Sequence, residues 1–281
     1  MRFELDADQR DFAASLESLL SSAGTAAIAR AWADGDHEPG LKLWGRLADA
    51  GVTSLASEPV FLVVAFEALG RHAVPGPWVE SVAYLGREDG IATLALPPHV
   101  PFALDADIAD EVYVGDAPVT GIGDRHTSVD RTRRLYDVTG DGVPDREAFD
   151  RAVLAISAQL LGAGERLLTD SVAYVKQRRQ FGREIGSYQA IKHALADVRI
   201  ALDFARPLVY GAALGEVSVS AAKVAAGDAA YLSSRTGLQV HGAIGYTAEL
   251  DLSLWITKVR ALVGAWGTPS WHRARLLQEI S

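Results

Sequence analysis

Tyr174-Val-Lys-Gln-Arg-Arg-Gln-Phe-Gly-Arg-Glu-Ile-Gly-Ser-Tyr-Gln-Ala-Ile-Lys-His-Ala-Leu-Ala-Asp197 joins two long helical patterns across a short break, and the fold follows from that join. Upstream, Phe149, Val153, Ile156, Leu160, Leu161, Leu167, Leu168 and Tyr174 keep to one helical stripe. They predict a helix over residues 146–178, about nine turns at roughly 3.6 residues per turn. Residues 181–187 break it. A second helix is expected over 188–214, with Pro207 as the place for a kink, a third over 217–236, and a fourth starting at 253–263. Four long antiparallel helices bury their apolar faces only as a bundle.

The first half differs in chemistry. Residues 1–144 carry 11 Lys/Arg against 23 Asp/Glu, and residues 145–281 carry 16 against 13. Nine of the eleven prolines precede residue 145, and proline breaks helices. Helical patterns are expected at 6–22, 41–50 and 60–72, with a further turn or two at 78–85. Short β-branched runs at 91–96, 111–114 and 127–138, separated by Pro, Gly and Asp, predict strands of a small sheet. Turn chemistry at 140–144 is the boundary. The expected division is an N-terminal helical domain (1–88), a reduced β domain (89–144) and a C-terminal four-helix bundle (145–281), mostly α overall.

Composition excludes several classes. With no cysteine there is no disulfide, thiolate metal site or thiol nucleophile, and no His/Asp/Glu cluster has metal-ligand spacing. A net charge of −9 argues against nucleic acid as a partner. The short apolar runs and acidic start argue against a membrane span or signal peptide, and for a cytoplasmic protein.

The quoted stretch resembles the linker between the first two bundle helices of the acyl-CoA dehydrogenases. Gln239-Val-His-Gly-Ala-Ile-Gly-Tyr246 is similar to that family's second glycine-rich segment, in the expected order and spacing. The resemblance implies FAD as cofactor, held here by groups offered to a neighbouring subunit. Arg178 presents a planar fork of donors that suits a pyrophosphate. Phe181 and Gly182 make a turn that lets the backbone approach a ligand. Gln189 can donate and accept. Gln239, Val240, His241, Gly242 and Ala243 form the glycine-rich contact, with Gly242 and Gly245 lacking the Cβ that would obstruct a dinucleotide. Taken singly, Arg178 reads as a solvated helix-end charge, the glycines as caps and His241 as a packed side chain. Two motifs in register favour the flavin reading.

The departures carry as much information. Many members place a catalytic Glu just before a Gly-Thr pair near the C-terminus, and here that residue is Trp266, before Gly267-Thr268. Indole cannot take a proton as a general base. Others place the Glu on the first bundle helix, which here is Ala152; Asp150 lies two residues away on a different helical face. The middle region also lacks the Thr-Glu-Pro…Gly-Ser-Asp stretch that lies along flavin and acyl-CoA. The resemblance therefore implies a degenerate, non-catalytic subunit of an α2β2 heterotetramer of the actinobacterial steroid-catabolism type. Its partner would be a full-length acyl-CoA dehydrogenase subunit that binds most of the acyl-CoA. Two other readings stay open: a flavin-free structural or regulatory assembly subunit, and a self-sufficient homo-oligomeric flavoenzyme with an unusual base such as Asp150.

Overall fold

Asp6 opens the first helix by a reciprocal cap: its side chain accepts from the Gln9 N–H, and the Gln9 side chain accepts from the Asp6 N–H. In the computed structural model, which describes residues 4–279 and 281, this helix is α1 (Ala7–Ser22). It is followed by α2 (Thr25–Ala33), α3 (Glu38–Asp49) and α4 (Pro59–Arg71). The expected pattern at 78–85 is a π-helical turn, Val79–Tyr84. α2 was not expected from the sequence. Gly24, at φ +68°, turns the chain so sharply that α1 and α2 form separate elements.

Six short strands follow. β1 (Ala92–Ala95), β3 (Glu111–Val114) and β4 (Ala117–Pro118) make one sheet, in which β1 and β3 run parallel. β2 (Ala103–Leu104), β6 (Arg134–Thr139) and β5 (Gly121–Thr127) make a second, antiparallel sheet in the order β2-β6-β5. The strand expected over 127–138 is thus divided: 128–133 is the connection between β5 and β6. That connection is seated by buried charge. Lys258 lies 3.4 Å from Asp130, and Arg134 is paired with Asp107 at 2.9 Å and Asp105 at 3.4 Å.

The C-terminal half is the expected bundle: α5 (Arg146–Gln177), α6 (Gln189–Ala213), α7 (Val219–His241) and α8 (Leu252–Gly264), with α9 (Pro269–Glu279) packed on α7. The Asp145 carboxylate accepts from the Glu147 and Ala148 N–H groups and starts α5. α5 is the central helix, touching α4, α6, α7 and α8. α6 continues through Pro207. α7 runs five residues past the expected end at 236, so Gln239-Val-His is helical.

α4 and α5 cross at two glycines. A Cβ on Gly70 would lie 2.1 Å from the Gln159 carbonyl oxygen, and one on Gly162 would lie 1.9 Å from that of Glu67. Beside the crossing, Glu67 and Glu165 share Arg206 at 2.9 and 3.1 Å, and Glu165 binds Arg199 through two 2.7 Å bonds. One contiguous apolar cluster, from Leu16 to Trp266, runs through the helical first part and the bundle. Among the described residues no single helix is long and apolar enough to cross a membrane, and no group of His, Asp and Glu is arranged to hold a metal.

Candidate functional site

The break between α5 and α6 becomes a small projecting structure. β7 (Arg179–Gln180) and β8 (Arg183–Glu184) pair as a hairpin. Its two turn residues, Phe181 at φ +51° and Gly182 at φ +82°, both lie in the left-handed region, as a two-residue hairpin turn of this hand requires. Phe181 adopts that conformation at a steric penalty and holds its ring 90% exposed.

Behind the hairpin lies a cavity of about 600 Å³, within the range of small-molecule sites. Tyr174 and Arg178 bound it from the end of α5, Tyr188 and Ile191 from the start of α6, and Gln239 through Ala243 from the end of α7. The Arg178 N–H closes α5 by donating to the Tyr174 carbonyl at 2.9 Å, and its exposed guanidinium has no acceptor among the described residues. α6 starts without a side-chain cap. The Tyr188 carbonyl accepts from Ile191 and Lys192, so the Gln189 and Ala190 N–H groups have no partner among the described residues. An uncapped helix N-terminus carries partial positive charge and attracts anions.

The α7 wall is braced at His241. His241 is buried and stacks on Tyr174, with centroids 4.2 Å apart; its Nδ1–H donates to the Gly237 carbonyl at 2.7 Å. Gly242 then turns the chain at φ +64°, and a Cβ built there meets nothing within 4 Å. The structure thus brings Arg178, Phe181, Gln239, Val240, His241, Gly242 and Ala243 around one cavity. Gln189 lies beside that wall, exposed in the first turn of α6 between Tyr188 and Ala190, which line it. The donor set fits a dinucleotide diphosphate, with an unpaired guanidinium and two free N–H groups for the anion and aromatic rings beside them.

The expected base positions lie elsewhere, in the interior. Ala152 and Trp266 are both fully buried. Trp266 packs on Tyr84 and Phe149 with centroids 5.5 and 5.6 Å away. Its loop is pinned from behind. Lys223 Nζ donates to the Leu262 and Val263 carbonyls, and the His272 Nε2–H donates to the Trp266 carbonyl at 3.0 Å while Nδ1 accepts from the Ser220 hydroxyl. Burial pushes Lys223 down to about 7 and His272 down to about 4. Asp150 is held by Arg275 through bonds of 2.5 and 2.7 Å.

Sequence reading passed over Glu80. It lies in the π-helical turn, 1% exposed, with both carboxyl oxygens lacking a hydrogen-bond partner. Burial pushes its carboxyl up, against the pull of the Arg133 guanidinium and the Trp266 indole N–H, which falls short of good hydrogen-bond geometry. A charged residue inside the apolar run from Trp78 to Leu85 was the available signal.

Residues 143–280 match the family model described as acyl-CoA dehydrogenase, C-terminal domain. The chain is 31% identical over 256 residues to acyl-CoA dehydrogenase IpdE2 of Mycobacterium tuberculosis, covering 84% of this chain and 79% of that protein. The ChsE4-ChsE5 complex from Mycobacterium tuberculosis is similar in fold, with a TM-score of 0.82 at 19% identity, covering 100% of this chain and 99% of that one. The Tcur3481-Tcur3483 steroid ACAD gives 0.81 at 19% identity, covering 97% of each chain. Homologues in this family depend on FAD. The helical bundle, the diphosphate-suited cavity at its α5–α6 break and these matches, which extend well beyond the bundle, make this chain a member of the acyl-CoA dehydrogenase family.

Proposed function

We propose that this chain is the non-catalytic subunit of a two-subunit acyl-CoA dehydrogenase, and that it completes the FAD site of a full-length partner. The carrying observation is the contrast between its two regions. The cavity behind the hairpin is open and cationic, whereas the family's base positions hold Ala152 and Trp266, both sealed in the core. Arg178 and the first turn of α6 would take the diphosphate, and the glycine-rich end of α7 would lie along it. When bound, FAD supplies the acceptor for the hydride leaving the β-carbon of an acyl-CoA. The partner's carboxylate would take the α-proton. The likeness to the ChsE4-ChsE5 complex supports a paired assembly, and the likeness to the Tcur3481-Tcur3483 steroid ACAD supports a steroid-derived substrate. In this reading residues 1–88 and 89–144 serve packing and assembly, and 145–281 serves assembly and cofactor.

Expression tests the pairing. Alone, the chain should aggregate or remain without flavin; produced with its partner, it should yield a stable FAD-containing heterotetramer. An active, FAD-loaded homotetramer from solo expression would overturn the proposal.

The self-sufficient alternative needs a base, and Asp150 is its candidate. Its carboxylate is engaged with Arg275, which also lies 3.1 Å from Glu279. Asp150→Ala in the assembly should leave kcat within a few-fold. A fall of about 10³-fold or more, the scale of a lost general base, would assign the chemistry to this chain.

A further inference from the structure

A second cavity, about 210 Å³ in volume, lies between the β5–β6 connection and the end of α8. Phe102, Val129 and Leu135 give it apolar walls, with the buried Trp266 behind them, and Arg133 lines it as a cation. Three arginines occur within four residues here, and two are tied. Arg131 is bonded to Asp34 at 2.9 Å, and Arg134 to Asp107 at 2.9 Å. Arg133 uses only its main chain, donating its N–H to the Asp130 carbonyl; its guanidinium has no acceptor among the described residues. The two buried acids that feel its charge, Glu80 and Asp105, make no hydrogen bond to it, and burial pushes both up, Asp105 to about 7. His99, also on the wall, is pushed down by burial and adds no charge at neutral pH.

Size narrows the ligand. An apolar cavity of about 150 Å³ accommodates benzene, so this one suits a single ring bearing one small polar group and is too small for a dinucleotide. A guanidinium beside apolar walls offers two parallel N–H bonds to a carboxylate or a phosphate, and the small volume favours the smaller, planar carboxylate over a tetrahedral phosphate ester. We propose that this cavity binds a small carboxylic acid as its anion, with a ring-sized apolar body against Phe102, Val129 and Leu135 and the carboxylate on Arg133. This site is separate from the cavity behind the hairpin, and the proposal holds whether or not that cavity supports a flavin.

Calorimetric titration of the full chain in its purified assembly tests it, with benzoate, benzamide and phenyl phosphate as probes. Benzoate should bind once per chain, and benzamide, equal in size but uncharged, about tenfold or more weaker. Phenyl phosphate should bind more weakly than benzoate; tighter binding would replace a carboxylate by a phosphate ester and overturn the assignment. Arg133→Gln should lower benzoate affinity by about tenfold or more and leave benzamide unchanged, while Arg131→Gln should stay within about twofold of the parent. Equal affinities for benzoate and benzamide on the parent protein would sink the proposal, and that comparison holds even where Arg133→Gln fails to fold.

Discussion

Gly162→Val should destabilise the chain by about 3 kcal/mol or more, the upper end of the overpacking range. The added side chain would start 1.9 Å from the Glu67 carbonyl oxygen, and that neighbour is main chain. No rotamer change can relieve the clash. α4 and α5 must move apart, which also opens the Gly70 contact 2.1 Å from the Gln159 carbonyl oxygen and strains the Glu67–Arg206–Glu165 network beside it. For a chain of this size the loss corresponds to a Tm lower by about 6–12 °C. Gly264→Val is the control, because a Cβ there meets nothing within 4 Å. Thermal melts of the two variants should differ accordingly. A Gly162→Val protein melting within about 2 °C of the parent would mean that the α4–α5 crossing is looser than described.

The bundle was legible because its information is local and periodic. α5 is buried along nearly every turn from Ala148 to Leu168, and the 3.6-residue stripe records it. β5 was not legible, since six of its seven residues, Gly121–Thr127, are exposed and carry no alternation. The Thr25–Ala33 helix was hidden by a single left-handed glycine, and the end of α7 by glycine and histidine residues that resemble a loop. In the site, contiguous motif residues were found together. Glu80, Lys223 and His272 escaped because their setting is made by residues far away in sequence, above all the Trp266 loop.

The same contrast between local motif and distant packing is what the proposed role requires, with an exposed motif surface on one side and a packed tryptophan at the family's base position on the other. Trp266 is supported by Phe149, Tyr84 and the His272 bond to its carbonyl, so that region is stabilised as core. Arg178 and Phe181 have no such structural employment. One is an unpaired exposed cation and the other an exposed ring in a strained backbone conformation. Strain and exposure of this kind cluster at ligand-binding sites.

Flavin affinity measures that directly. Arg178→Ala removes the guanidinium and leaves the diphosphate without its charged donor, a loss of roughly 1.5–3 kcal/mol, or about 10- to 150-fold in Kd. Arg178→Lys should recover only part of this, because an ammonium cannot make two parallel bonds. Arg179→Ala is the control, since the Arg179 guanidinium turns back onto its own hairpin, donating to the Gly182 carbonyl at 3.4 Å. FAD is titrated into the apo-assembly of the parent and the three variants, with the oligomeric state checked in parallel. The account predicts weakening of about 10- to 150-fold for Arg178→Ala, an intermediate value for Arg178→Lys and near-parental binding for Arg179→Ala, all in intact tetramers. Equal affinities across the set, with the tetramers intact, would contradict it and leave this chain as a flavin-free assembly subunit.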